Sequence, residues 1–391
     1  MHAIGVPAFG AAANRFARGP DGLTLLPACA TGKKTAEGGG NHTGAERVMD
    51  NLLKRMIGAT RRVRVRRPRA GLLADLRLPA IPLVSKRRAP AAPKPRRAAA
   101  PPRSPRPAPG SFLHDTLVTE HGALDYRLYT PRGSARRRMA LVVMLHGCSQ
   151  TAADFATGTN MNRLADEMGF LVLYPQQSPR ANVGRCWNWH EPRNQRRDGG
   201  EPAMIAALTH HAIALGRANP ARVYIAGISA GGTTAAIVGA AYPDLFAAVG
   251  CHSGLALGNV RSLRSAVSAM RGRTGRQAIG TLPPQLPTIV FHGDSDRVVH
   301  PANASGFQRN LERSRTAPLV CTTRTGRSAG GRDFTQRIYA GSRGEVLLEE
   351  WTIHGSGHGW SGGRALGSFT DPAGPDASRE MLRFFLARRR R

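Results

Sequence analysis

The sequence predicts an α/β fold, a mostly parallel sheet flanked by helices, preceded by a disordered basic tail. From Ser111 onward, short apolar runs alternate with stretches at helical spacing. Continuous apolar strands of this kind are the ones covered on both faces by crossover helices. Before Ser111 the chain is rich in Ala, Pro and Arg. Such a stretch buries too little apolar surface to offset its chain entropy. The expected division is therefore a tail over 1–110 and one catalytic-size domain over 111–388, which fits a chain of 391 residues.

Taken in order, Leu141-Val142-Val143-Met144-Leu145 and Phe170-Leu171-Val172-Leu173-Tyr174 are the first two buried strands. A helix is predicted from Pro202 to Ala218, where Ile205, Leu208, Ile213 and Leu215 recur at near-helical spacing. The strand Val223-Tyr224-Ile225-Ala226 follows, then a Gly-rich turn and a helix-compatible run from Thr233 to Tyr242. Phe246 to Gly250, Thr288 to Phe291 and Val346 to Leu348 complete the strands. Nothing approaches the roughly 18 consecutive apolar residues that a membrane-spanning helix needs.

Of the 56 Lys and Arg residues, 22 precede Ser111, against 5 of the 25 Asp and Glu. Lys/Arg clusters such as Arg61-Arg62-Val63-Arg64-Val65-Arg66-Arg67 and Lys86-Arg87-Arg88 attract polyanions without needing a fold. Between Arg61 and Gly110, however, no aromatic residue interleaves with the charges, and single-strand binding surfaces use such rings for stacking. Specific nucleic-acid binding is not expected. Asn14, Arg15, Arg18 and Asp21 interrupt Met1 to Leu26, so no Sec-type leader is visible. A short amphipathic helix over 48–58 opens at Met49, an alternative start.

In an open α/β sheet the chemistry belongs at the carboxyl ends of the strands. After Ile225-Ala226 stands Gly227-Ile228-Ser229-Ala230-Gly231-Gly232. A strand, a tight glycine turn with serine at its apex and a helix make a nucleophile elbow. The other possibility for Ser229 is a plain helix cap. A serine hydroxyl needs a base, and the base needs an acceptor that fixes its tautomer. His292-Gly293-Asp294-Ser295-Asp296 follows the Thr288 strand. Asp296, deeper in the loop and just before Val298-Val299, is the expected acid, with Asp294 the competitor. Since this class orders its residues Ser, Asp, His, the base should come from His354-Gly355-Ser356-Gly357-His358-Gly359. His358, flanked by glycines, is expected over His354.

The oxyanion needs rigid backbone N–H donors. Ala230, directly after the nucleophile, should supply one. The second is expected from the loop His146-Gly147-Cys148-Ser149-Gln150, where Gly147 allows close approach; an ordinary glycine turn is the alternative. Trp187, Trp189 and Trp360 stand in loops near these segments and are candidate pocket walls, Trp360 foremost, with core packing as the other possibility.

Together, His146 to Gln150, Cys186-Trp187-Asn188-Trp189, the Ser229 elbow, the Asp296 loop and Gly357-His358-Gly359-Trp360 resemble the polyhydroxybutyrate (PHB) depolymerase family of esterases, from about Phe112 to Phe385. The resemblance implies an α/β-hydrolase fold, a triad of Ser229, Asp296 and His358, an oxyanion segment at His146 to Cys148, and a domain often found extracellularly. Polymer-degrading members append a surface-binding domain after the catalytic one. The chain ends soon after His358, so adsorption to insoluble polyester is not expected. Similar domains in feruloyl and acetylxylan esterases leave phenolic and sugar esters open beside hydroxyalkanoate esters. The expected partner is thus an ester substrate, with no metal and no organic cofactor. From another class, a basic polyanion-binding protein carrying a vestigial hydrolase domain is the competing expectation.

Five cysteines are present: Cys29, Cys148, Cys186, Cys251 and Cys321. A bridge between Cys148 and Cys186 would pin two site loops and favour an oxidising compartment. Two reduced buried thiols are the alternative, and a cytoplasmic location stays open.

Overall fold

The computed structural model describes residues 110–132, 138–256, 260, 262–273 and 286–390, together with the backbone of 24–27. The helix expected over 48–58 lies outside the described residues, as does the rest of the predicted tail apart from 24–27 and Gly110.

An 11-stranded sheet organises the domain. Its centre is built from β4 (Ala140–Leu145), β5 (Phe170–Gln176), β6 (Val223–Ile228), β7 (Ala248–His252), β8 (Thr288–Gly293) and β11 (Val346–Ile353). These run parallel in the spatial order β11, β8, β7, β6, β4, β5. They are the apolar runs of the sequence, and β4, β6, β7 and β8 are buried along their whole length. Two-face burial explains why they read as continuous Val, Ile and Leu without alternation.

Antiparallel strands extend both edges. On one side β2 (Ser111–Thr119) and β3 (Gly122–Thr130) form a hairpin against β5. On the other, β9 (Val320–Arg327) and β10 (Asp333–Ala340) continue from β11. Within the stretch expected to be an unstructured tail, Thr24–Pro27 instead forms a strand, β1, antiparallel to β9. The outer strand of a sheet offers a row of unpaired N–H and C=O groups, and a short extended segment can satisfy them.

Helices cover both faces. Those that position the site are α1 (Ala152–Thr159), α2 (Met161–Met168), α3 (Gly200–Leu215), α4 (Ala230–Ala241), α5 (Leu263–Met270), α6 (Ser305–Arg313) and α7 (Ala377–Leu386). One face of the sheet is packed by Ile205 and Leu208 of α3 with Leu141, Val143, Ile225 and Val249. The opposite face is packed by Phe384 and Phe385 of α7 with Val142, Tyr224, Ile289 and Phe291. The sheet is rigid on both sides, so loops leaving its carboxyl edge have fixed origins. Among the described residues no helix is long and apolar enough to cross a membrane.

Candidate active site

Ser229 sits between β6 and α4 with φ 57° and ψ −123°. A non-glycine residue rarely adopts such angles, and the strain persists only where the surroundings over-determine it. Two glycines supply that constraint. A Cβ on Gly227 would strike the Gly231 carbonyl group, and one on Gly231 would strike the carbonyl oxygens of Leu145 and His146. The elbow therefore lies directly against the end of β4 and the start of the His146 loop. The Ser229 N–H donates to the His252 carbonyl at 2.9 Å. The side chain makes no capping hydrogen bond, which removes the helix-cap alternative.

The two carboxylates after β8 are sorted by burial. Asp296 is 3% exposed, and its Oδ2 accepts from His358 Nδ1 at 2.7 Å. Its Oδ1 accepts from the N–H groups of Val298 and Val299 at 2.9 and 2.8 Å. Burial by itself would raise the carboxyl pKa. The charge of His358, its hydrogen bond, His292 and the Val299 N–H outweigh that and hold it at about 2. Asp294 instead accepts from His354 Nδ1 at 2.8 Å on the half-exposed surface. Thr335 Oγ1 caps the other nitrogen of His354 at 2.9 Å. The competing pair is thus a surface clamp between the two loops.

His358 is 8% exposed, and its Nε2 is buried with no hydrogen-bond partner among the described residues. A nitrogen left in that state has an open valence for a proton donor. Two more buried histidines, which the sequence did not single out, stand behind it. His292 Nε2 donates to the Val299 carbonyl at 2.8 Å and lies 3.5 Å from Asp296 Oδ2. His252 Nε2 accepts from the Ser361 N–H at 2.9 Å. Burial lowers the pKa of both, that of His252 to about 3.

Most of the N–H groups of the His146 loop are engaged. His146 Nδ1 donates to the Gly147 carbonyl at 2.8 Å, and its Nε2 accepts from the Gln177 N–H at 3.0 Å. Trp187 Nε1 donates to the His146 carbonyl at 3.1 Å. Gly147 N–H is taken by Gln150 Oε1 at 2.9 Å. Gly147 is therefore a hinge of close approach, and it is not itself a free donor. The Cys148 N–H has no acceptor among the described residues. The Ala230 N–H stands at the first position of α4, where no intrahelical acceptor exists.

Cys148 and Cys186 are joined in a disulfide, which ties this loop to the Trp187 segment. Ser149 N–H reinforces the tie by donating to the Gly184 carbonyl at 2.7 Å. Cys321 is also disulfide-bonded, whereas Cys251 is a buried free thiol that burial pushes up to about 12.

A cavity opens beside Ser229 and Ala230, lined by the disulfide, Trp187, Trp189 and apolar residues of α5 including Leu263, Val267 and Met270. Trp360, the foremost pocket candidate in the sequence, is not among the lining. It is 1% exposed, donates from Nε1 to Ser378 Oγ at 3.0 Å, and packs edge-on to Phe155 and flat on His252. The first residue of β12 (Trp360–Ser361), it turns inward under α7. Among the described residues no group of three or more His, Cys, Asp or Glu could hold a metal ion.

Comparison with known proteins identifies the family. Residues 124–336, just over half of the chain, match the family model described as Esterase PHB depolymerase. The chain is 32% identical over 255 residues to poly(3-hydroxyalkanoate) depolymerase C of Paucimonas lemoignei, covering 62% of this chain and 59% of that protein. It is 29% identical over 204 residues to feruloyl esterase B of Neurospora crassa, covering 47% of this chain and 69% of that one. The chain thus spans about three fifths to two thirds of the length of these curated relatives. Among solved structures, an acetyl xylan esterase from Aspergillus awamori superposes with a TM-score of 0.54 at 19% identity, covering 71% of this chain and 99% of the other. At that identity the likeness speaks to the fold, which is that of the α/β-hydrolase esterases.

Proposed function

Because the chain belongs to the PHB depolymerase family of esterases, we propose that it is a serine esterase in which Ser229, His358 and Asp296 carry out acyl transfer. The observation that carries this is the buried Asp296–His358 pair, its outward nitrogen unpartnered, on the same sheet edge as a strained serine elbow. His358 takes the proton of Ser229 as the hydroxyl attacks an ester carbonyl. Asp296 holds the neutral imidazole in its tautomer and stabilises the imidazolium once it forms. The N–H groups of Ala230 and Cys148 receive the oxyanion, each worth roughly 3 kcal/mol in such a role. The alcohol leaves with the proton, and water repeats the sequence in reverse to release the acid.

The apolar cavity beside Ser229 favours an acyl portion without charge, and a hydroxybutyrate-type ester fits this better than a polar one. The cavity wall includes the aromatic residues Trp187 and Trp189, which supports phenolic and sugar esters as the second possibility, in keeping with the relative named feruloyl esterase. The test has two arms. Ser229→Ala should lower hydrolysis of a short nitrophenyl ester by about 10⁴-fold or more; a variant with near-wild-type turnover rejects the assignment. A panel of hydroxybutyrate oligomers, polyester film, feruloyl sugars and acetylated xylan then ranks the substrates by kcat/KM.

A further inference from the structure

Beneath the Trp-rich segment lies a carboxylate that the acyl-transfer chemistry does not use. Glu201, in the first turn of α3, is 5% exposed. It makes no ion pair with Lys or Arg among the described residues. Instead, three N–H groups converge on it. Asn188 N–H donates to both oxygens, at 2.8 and 3.1 Å. Asn188 Nδ2 donates at 2.9 Å and Gln177 Nε2 at 2.6 Å. A buried carboxylate saturated by neutral donors is costly to desolvate and is retained where it fixes geometry.

Both donors lead to the loop that faces the reacting carbonyl. Asn188 lies between Trp187 and Trp189 in sequence, and Trp187 Nε1 holds the His146 carbonyl. Gln177 spans the other branch: its amide also donates to the Cys186 carbonyl at 3.1 Å, and its own N–H donates to His146 Nε2. Cys186 in turn is bonded to Cys148. The tethers of the His146–Cys148 segment on this side, at Trp187, Cys186 and Gln177, are therefore each a hydrogen-bond partner of Glu201 or within two residues of one.

We propose that Glu201 is the positioning residue of the oxyanion segment, its carboxylate locking Asn188 and Gln177 so that the Cys148 N–H points at the reacting carbonyl. This rests on the serine-esterase proposal above, which Ser229→Ala tests separately. The variants are Glu201→Gln and Asn188→Ala. Glu201→Gln keeps the shape and one acceptor oxygen but sets an amide NH₂ against the Asn188 N–H. It should lower kcat about tenfold or more while KM for a short nitrophenyl ester moves less than about threefold, since a group acting only in the transition state affects kcat. Asn188→Ala removes the Nδ2 donor to the same carboxylate and should act in the same direction, kcat falling with KM little changed, a split that loss of bulk packing would not show.

If Glu201→Gln turns over like wild type while Ser229→Ala is inactive, the proposal falls and the esterase assignment stands. It also falls if KM rises in step with the loss of kcat. Should Glu201→Gln fail to fold, Asn188→Ala decides: a fall in kcat with KM held supports the positioning role, and wild-type kcat or a matching rise in KM overturns it. Activity in Ser229→Ala would instead overturn the esterase assignment itself.

Discussion

The Cys148–Cys186 bridge offers a perturbation whose size follows from chain statistics. The two cysteines are 38 residues apart. Closing a loop of that length removes about 13 cal/mol/K from the unfolded chain, or about 4 kcal/mol at 25 °C. For a domain of this size that translates to a fall in Tm of about 7–10 °C. The double variant Cys148→Ala, Cys186→Ala is preferable to a reductant, because Cys321 is also disulfide-bonded and would open too. The loops keep their Ser149–Gly184 and Trp187–His146 hydrogen bonds, so the fold should survive. The proposed oxyanion segment, however, loses a covalent anchor at Cys148. Thermal melts followed by circular dichroism, with kcat measured well below the new Tm, separate the two effects. A drop in Tm with unchanged kcat would show that the hydrogen bonds alone hold the loop. An unchanged Tm would refute the entropic estimate.

Other expectations follow from single sites. Asp296→Asn should cost about 10⁴ in kcat by giving His358 the wrong tautomer. Because Asp296 is held at about 2 in the fold, its contribution to stability is complete above pH ~4 and lost as pH falls through about 2; the wild type should lose its Tm advantage over Asp296→Asn across that interval. Glu350 is buried, and burial raises its pKa to about 7 against the opposing Tyr339 hydrogen bond. A raised carboxyl favours the fold below pH ~4.5 and loses that benefit as pH rises through about 7. Glu350→Gln should therefore raise Tm relative to wild type at pH 8, by up to about 3 kcal/mol in stability, and leave no such gain at pH 4. Trp360→Ala should cost about 3–5 kcal/mol of stability with little change in KM, whereas Trp189→Ala, at a buried indole that also lines the cavity, should lower Tm and raise KM for bulky esters as well; parallel melts and kinetics distinguish the two indoles.

The central strands were legible because two-face burial writes itself as uninterrupted Val, Ile and Leu. The edge strands were not. β9 and β10 carry Val320-Cys321-Thr322-Thr323-Arg324 and Asp333-Phe334-Thr335-Gln336-Arg337, partly exposed residues with no apolar run to betray them. β2 is largely exposed as well. At the site, the strained turn at Ser229 was legible because glycines on both flanks and a following helix announce it. Depth in the loop distinguished Asp296 from Asp294 in sequence, and in the structure the deeper of the two is the buried one. Trp360 misled because proximity to His358 in sequence says nothing about which way a side chain turns at a strand start. Glu201, Gln177, His252 and His292 escaped notice for a common reason: each acts through hydrogen bonds to residues far along the chain, and only the assembled sheet brings those partners together.

The most direct test of acyl transfer at the elbow is covalent capture. The enzyme is treated with a fluorophosphonate ester, and the site of the adduct is located by peptide mass spectrometry as esterase activity decays. One phosphonyl group per chain on the peptide bearing Ser229, with activity lost in proportion and no adduct on Ser229→Ala, is the predicted result. Full labelling at another residue, or hydrolysis that persists once Ser229 is fully modified, would contradict it.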